Sequence, residues 1–412
     1  MYSKLKTEHF KRRYVLKHTQ DPFGAVVTPT TNTTTFQANS AANLKLRFQW
    51  LLGLVPEPEG DHNPFIYGRF DTPSHRSLYK ALVALEPGAI SAAAFPSGMS
   101  AIYTTVKALT KQGDTILYTN PIYGCTDDYF RQYCPRDGVK AVAIDTTNLE
   151  VLEAAIVENR QSLRIIFIET PSNPIIKLSS IRKIADLAAK YPGPDGSALI
   201  IVDNTFLGPF FQHPFEHGAD IIIYSATKFL GGFSSLLGGV VLTKSEMLMR
   251  VIRLFQNTTG PVFTPAACTK LEESIQTVDY RMSVETESAV QIANLLASHA
   301  NVEFVYYPGL LTGEQTEIYA AQCTGPGSII SFLIKGGEAQ AFAFVDRLEI
   351  ILGNTVSLGG VHSYAIVPAS STHLGVPEKV RLAAGVKPNL IRLSIGKEPI
   401  RLLEKDILSA LG

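Results

Sequence analysis

Ile221-Ile222-Ile223-Tyr224-Ser225-Ala226-Thr227-Lys228-Phe229-Leu230-Gly231-Gly232 is the stretch that decides the architecture. Its first four residues are apolar without alternation, the mark of a strand covered on both faces. Similar short apolar runs occur at Thr115 to Tyr118, Ala141 to Ile144, Ile165 to Ile168, Leu199 to Val202 and Val240 to Leu242. Helical periodicity runs through Leu78 to Leu85 and Met99 to Leu109, and helical stretches at Leu149 to Val157 and Ile181 to Ala189 separate several of the strands. Strands alternating with helices predict an α/β fold built on a mostly parallel sheet. After about residue 270 the texture changes. Helices at Lys270 to Val278 and Ser283 to Ser298 lead into weaker strands near Phe304, Ile329 to Ile334 and Ile391 to Ser394, with further helices at Ala339 to Arg347 and Ile400 to Leu411. That reads as a smaller α+β domain. The expected division is an N-terminal arm (1–70), a central α/β domain (71–270) and a C-terminal α+β domain (271–412). The arm reads as irregular to about residue 62, with a Thr-rich run from Thr28 to Thr35 and a breaker cluster at Pro56 to Gly60.

The 412 residues carry 37 Lys plus Arg and 37 Asp plus Glu, a net charge of zero. A balanced chain offers no electrostatic reason to expect nucleic acid or an anionic membrane as partner. Charged residues are 18% and hydrophobic ones 45%, which suggests buried subunit interfaces. Cys125, Cys134, Cys268 and Cys323 are scattered without a CxxC, as expected in a reducing cytoplasm. No apolar run reaches the 18 or so residues that span a bilayer. Met1 to His18 is basic but lacks an apolar core, which argues against a secretory signal and leaves a transit peptide open.

In an open parallel sheet, ligands bind beyond the carboxyl ends of the strands. Three strands here end in polar residues, Glu169, Asp203 and Ser225, and Lys228 follows the last. A lysine between a buried strand and a glycine pair is poorly placed as a solvated charge; burial would lower its pKa and make it a usable nucleophile or base. It could equally pair with Asp203 or Glu169, and Asp203-Asn204-Thr205 is also turn chemistry. Ser97-Gly98-Met99-Ser100 opens a helix whose free N–H groups suit a phosphate. Together these predict pyridoxal phosphate, which needs a phosphate site, a Schiff-base lysine and a carboxylate facing the pyridinium nitrogen. His213-Pro214-Phe215-Glu216-His217 fits a zinc-protease pattern, but the proline disfavours one helical face for both histidines, so no metal is expected and His217-Gly218 should end a short helix. No GxGxxG or Walker A pattern occurs, and Trp50 reads as packing.

From Phe65 to the C-terminus the chain resembles the Cys/Met-metabolism (trans-sulfuration) family of pyridoxal-phosphate enzymes. The resemblance rests on Tyr67-Gly68-Arg69, Ser97-Gly98-Met99, Tyr123-Gly124-Cys125-Thr126, Glu169 to Pro174, Val202 to Thr205, Ser225 to Lys228, Ser357 to Gly360 and Arg392 to Gly396. It implies a type I aminotransferase-like fold and a homotetramer of two intimate dimers with shared active sites. It also implies roles. Lys228 holds the cofactor and shuttles protons, Asp203 keeps the pyridine nitrogen protonated, and Tyr123 stacks on the ring and exchanges protons. Gly98, Met99, Ser225 and Thr227 bind the phosphate, with Tyr67 and Arg69 reaching the phosphate of the neighbouring subunit. Asn173 lies at the ring-hydroxyl side, and Arg392 grips the substrate α-carboxylate with Ser357 and Tyr67 nearby. The implied activity is γ-elimination on a homoserine- or homocysteine-type amino acid, as in methionine or cystathionine γ-lyases, with an unusual leaving group conceivable. The alternative is γ-replacement, as in cystathionine γ-synthase or O-acylhomoserine sulfhydrylase. An aminotransferase is the reading from another class.

The chain departs from the family pattern at Phe233 and Ser235, where a polar residue and Asp are usual. It departs again at His362, often Glu, at Ser371, usually Met, and in a longer segment from Ala41 to His62. At Phe233 and Ser235, which remove polar groups near the lysine loop, the departure permits drift with local repacking or a changed substrate or leaving group. Cys125 stands where many members have Gly; it is either a small buried hydrophobe or a sign of a γ-lyase.

Overall fold

A computed structural model describes residue 25, residues 27–56 and residues 64–412. The basic segment Met1 to His18 and the tip of the longer segment, 57–62, lie outside the described residues.

The larger sheet is formed by β1 (Ser91–Phe95), β2 (Thr115–Thr119), β3 (Lys140–Ile144), β4 (Leu163–Glu169), β5 (Leu199–Asp203), β6 (Ile221–Ser225) and β7 (Gly239–Thr243), in the order β1-β7-β6-β5-β4-β2-β3. The strands from β6 across to β3 run parallel, whereas β7 is antiparallel to both β6 and β1. Strand β1 was not legible because Ser91-Ala92-Ala93-Ala94-Phe95 is rich in alanine, a poor strand former. Both faces of the sheet are buried. Ile165, Phe167, Ile201 and Ile223 join one apolar cluster, and Ile166, Ile168, Val202 and Ile222 join another on the opposite face. Each such side chain stabilises the fold by roughly 1.5–3 kcal/mol over an exposed position. This is why the strands read as unbroken apolar runs.

The smaller sheet takes β8 (Val302–Tyr306), β9 (Ile329–Ile334), β10 (Leu352–Gly353), β11 (Tyr364–Ile366) and β12 (Leu390–Ser394) in the order β10-β11-β12-β9-β8. It is antiparallel except for β10 with β11. Its own core includes Ile330, Phe332, Ile391, Leu393, Leu403 and Ile407. The helix Val278–Ser298 carries residues of both cores, Val278 and Met282 in one and Ala289, Ile292 and Ala293 in the other.

The arm is less irregular than expected. Ala41–Leu51 is a helix capped by Ser40, whose Oγ accepts from the Asn43 N–H at 3.0 Å. A cap followed by Ala, Leu, Lys and Arg is good helix chemistry. Trp50 does pack: the Arg76 guanidinium lies 5.1 Å from its ring centroid. Among the described residues no helix is long and apolar enough to cross a membrane.

Candidate active site

The carboxyl ends of β4, β5 and β6 open into a cavity of about 280 Å³. Strand register sets Glu169 and Asp203 side by side at its floor. The Asp203 Oδ1 accepts from the Thr205 N–H (3.0 Å) and hydroxyl (2.6 Å), and that hydroxyl accepts from the Ser225 N–H at 2.9 Å. The expected turn chemistry is therefore present, and it engages only one oxygen of a carboxylate that also lines the cavity. Burial pushes the Asp203 carboxyl up to about 6 against those hydrogen bonds. Glu169 is pushed well above the carboxylate range, first by burial and then by the charge of Asp203. Of the two, Glu169 is raised the further. Glu169 accepts from the Asn173 N–H at 2.7 Å and the Tyr123 N–H at 3.2 Å, so it braces two residues of the cavity wall.

Lys228 reaches the same cavity from the turn after β6. Its Nζ donates to the Ser357 Oγ at 3.3 Å, so the structure pairs it with a hydroxyl rather than with Asp203 or Glu169. Burial, and then the nearby Arg392 charge, lower its pKa to about 8. The turn is held from behind. Arg281, buried, donates to the carbonyls of Phe229 at 2.8 Å and Leu230 at 3.3 Å. Gly232 has φ +67°, and a Cβ there would collide with the Arg281 guanidinium, which accounts for the second glycine of the pair.

Arg392, on β12, enters from the smaller sheet. It donates to the Asn173 Oδ1 at 2.8 Å and the Ser357 carbonyl at 3.0 Å, and its buried Nε has no hydrogen-bond partner among the described residues. The Tyr123 hydroxyl is raised above its ordinary pKa, first by burial and then by a hydrogen bond with Cys125. The helix Gly98–Leu109 starts at the opposite wall, capped by the Ser97 Oγ on the Ser100 N–H at 3.1 Å.

The cavity thus gathers Gly98, Met99, Tyr123, Asn173, Asp203, Ser225, Thr227, Lys228, Ser357 and Arg392. It does not gather Tyr67 and Arg69. Tyr67 is exposed, and Arg69 bonds the Asn257 carbonyl and lies 5.7 Å from the Tyr67 ring centroid. The residues at which the sequence departs from the family also stand outside the lining. Phe233 stacks under the Arg281 guanidinium at 5.1 Å, and the Ser235 carbonyl accepts from Lys270 Nζ at 2.9 Å. His362 is 3.8 Å from Glu398, and the Ser371 hydroxyl donates to the Val367 carbonyl at 2.6 Å. Pro214–His217 is a short 3-10 helix ended by Gly218, His213 pairs with Glu86 at 3.3 Å, and no metal-binding group occurs among the described residues. Cys125 is exposed, not a buried hydrophobe.

Sequence reasoning passed over Thr205, Val356, Leu237 and Thr372 as liners, and gave Glu169 no role. Only Glu169 and Thr205 carried a signal, each lying at a strand end.

Residues 14–412 match the family described as Cys/Met metabolism PLP-dependent enzyme. The chain belongs to that family. Within it, the chain is 38% identical over 355 residues to the cystathionine γ-lyase of Sus scrofa, covering 86% of this chain and 85% of that one. A cystathionine γ-lyase from Lactobacillus plantarum, solved with L-serine, superposes with TM-score 0.86 at 31% identity over 98% of both chains. A cystathionine γ-synthase from Xanthomonas oryzae, solved with cystathionine, gives TM-score 0.87 at 32% identity over 98% of this chain and 97% of that one.

The family's cofactor is pyridoxal 5′-phosphate, and the cavity fits it. The Gly98 backbone closes so tightly on Ser225 that a Cβ would lie 3.0 Å from the serine Cβ, leaving a helix start and two hydroxyls, Ser225 and Thr227, around space for a phosphate. A buried carboxylate with a free oxygen and a lysine of lowered pKa stand at the places such a group needs.

Proposed function

We propose that this enzyme performs γ-elimination on an amino acid of the homoserine or homocysteine type. Lys228 would hold the cofactor through its amine, and Asp203 would pair with its ring nitrogen. Asn173 would face the ring hydroxyl, and Gly98, Met99, Ser225 and Thr227 would take the phosphate. When bound, that group supplies an electron sink for the charge left at Cα. The remaining chemistry belongs to the chain. Arg392, steadied by Asn173 and the Ser357 carbonyl, presents a two-pronged donor to the substrate carboxylate, a fit that lysine cannot copy. Docked there, a substrate has its Cα proton beside Lys228 Nζ, held by the Ser357 hydroxyl. With a pKa of about 8, the fraction of the amine that is neutral and able to take that proton grows as pH approaches 8; the amine can return the proton further along the chain, while the Tyr123 hydroxyl serves as a second proton carrier.

The observation that carries this reading is the convergence of Lys228 and Arg392 on Ser357, one through its hydroxyl and one through its carbonyl. The test is the release of 2-oxobutanoate and ammonia from γ-substituted amino acids, and its loss in Lys228→Ala. Similarity to the Xanthomonas oryzae synthase supports γ-replacement as a second reading. It predicts a new thioether when a thiol is added. Transamination would instead leave the γ-group in place.

We further propose a homo-oligomer, a dimer of dimers, in which Tyr67 and Arg69 complete the phosphate site of a neighbouring subunit. Their position away from their own chain's cavity supports this. Four free cysteines support a cytoplasmic location.

A further inference from the structure

Lys228 sits in a loop whose ends are tied together. The Thr227 N–H donates to the Gly238 carbonyl at 3.2 Å, and the Gly238 N–H donates to the Thr227 hydroxyl at 3.0 Å. Between those ends Ser234 has φ +52°, one of three non-glycine residues with positive φ among the described residues. A left-handed serine is strained and persists only where its surroundings hold it. Its neighbours face the helices: Phe233 stacks under Arg281, and the Ser235 carbonyl accepts from Lys270 Nζ. Ser234 turns instead to the smaller sheet. Its Oγ lies 2.5 Å from the hydroxyl of Tyr364, a buried residue of β11.

That hydrogen bond is the outer end of a short ladder between two segments. Lys228 Nζ meets the Ser357 Oγ at 3.3 Å, the Val361 N–H donates to the Gly232 carbonyl at 2.9 Å, and Ser234 meets Tyr364. The segments run close together, since a Cβ on Gly359 would lie 2.9 Å from the Phe229 nitrogen. The ladder is also built onto the strand of Arg392. Tyr364 pairs in register with Ser394 on β12, and the Ser394 Oγ accepts from the Gly359 N–H at 2.8 Å. Neither Ser234 nor Tyr364 lines the cavity.

We propose that Ser234 and Tyr364 are positioning residues for Lys228: their hydrogen bond clamps the lysine loop to the sheet that carries Arg392 and so keeps the amine on the Ser357 hydroxyl. The inference rests on the reading that Lys228 holds the cofactor. Without the bond, the exposed Ser234 hydroxyl takes water instead and its backbone is free to leave the left-handed region. The loop then loosens at its outer end, and Lys228 loses Ser357 and gains solvent. Burial and the Arg392 charge, which together lower its pKa to about 8, both weaken, so the pKa climbs.

The test follows the rate at which visible absorbance develops when pyridoxal phosphate is added to the apoprotein, across about pH 6 to 10. Tyr364→Phe removes the buried hydroxyl and keeps the ring. Ser234→Ala removes the other partner at an exposed position, where the fold does not depend on it. In each, the pH at which the rate levels should rise by about one unit, so that the rate at pH 7 falls about tenfold. Turnover should show kcat lower by about the same factor with KM within about threefold, since Arg392 keeps its place. The double variant should match either single one, because the two residues share one bond. A levelling pH within about 0.3 unit of the parent in both single variants overturns the proposal, as does an additive double variant. If Lys228→Ala develops the same absorbance, the lysine assignment fails and the clamp with it. If Lys228→Ala is silent while both clamp variants keep the parent profile, the assignment stands and the clamp alone fails.

Discussion

Arg392 donates to the Asn173 side-chain oxygen at 2.8 Å, so the group that would grip a substrate carboxylate also decides which way the Asn173 amide points. Two residues 219 apart in sequence, one from each sheet region, act as a unit. The same guanidinium reaches the Ser357 carbonyl, while its buried Nε finds no hydrogen-bond partner among the described residues. Burial pushes the arginine down to about 10, offset by Tyr123 and Glu169, so it stays charged at neutral pH.

Arg392→Lys should therefore lose more than a charge would suggest. A lysine ammonium cannot hold Asn173, Ser357 and a carboxylate in one plane. KM for the amino acid should rise by about 100-fold, roughly 2.7 kcal/mol, with a smaller fall in kcat. Steady-state kinetics check this, and a KM within threefold of the parent would contradict it.

The lowered pKa of Lys228 sets how the apoprotein captures its cofactor. Below about 8 the amine is mostly protonated and cannot attack an aldehyde; above it the neutral form dominates. The rate at which visible absorbance develops on adding pyridoxal phosphate should rise about tenfold per pH unit up to about 8 and then level. A rate still climbing at pH 10 would mean an ordinary lysine.

Glu285 lies fully buried on the helix Val278–Ser298, and neither of its carboxyl oxygens has a hydrogen-bond partner among the described residues. Burial raises it to about 8, with Arg281 and Lys397 opposing and Glu398 assisting. The folded state thus binds a proton that the unfolded chain releases near 4.5. Its stabilising contribution is complete below that value and is lost as pH rises towards 8, by on the order of 4 kcal/mol at most. Glu285→Gln should flatten the decline in urea midpoint between pH 5 and 8.5. An unchanged slope would show that Glu285 is ionised in the folded protein.

The central sheet was legible because its strands are buried on both faces and so lack alternation, from Ile165 to Ile168 through Ile221 to Tyr224. Ser91 to Phe95 escaped notice since alanine packs under close-set helices without advertising a strand. The antiparallel course of β7 was equally invisible, because direction depends on the connection and not on the side chains. The helix Ala41–Leu51 was missed among the breakers that surround it. Among site residues, Lys228, Asp203 and Glu169 stood out as polar groups ending apolar runs. Phe233, Ser235, His362 and Ser371 drew attention as departures, yet the cavity is lined without them.

The local sequence determined the strands, the helix start at Gly98 and the chemistry at each strand end, because these follow from burial, capping and charge within a few residues. Only the tertiary structure decided the partners. It turned Lys228 to Ser357 instead of to a carboxylate, tied Arg392 to Asn173, and left Val356 and Leu237 at the mouth. Such contacts join segments more than a hundred residues apart, and their geometry is set by how the two sheets pack, which no short stretch of chain encodes.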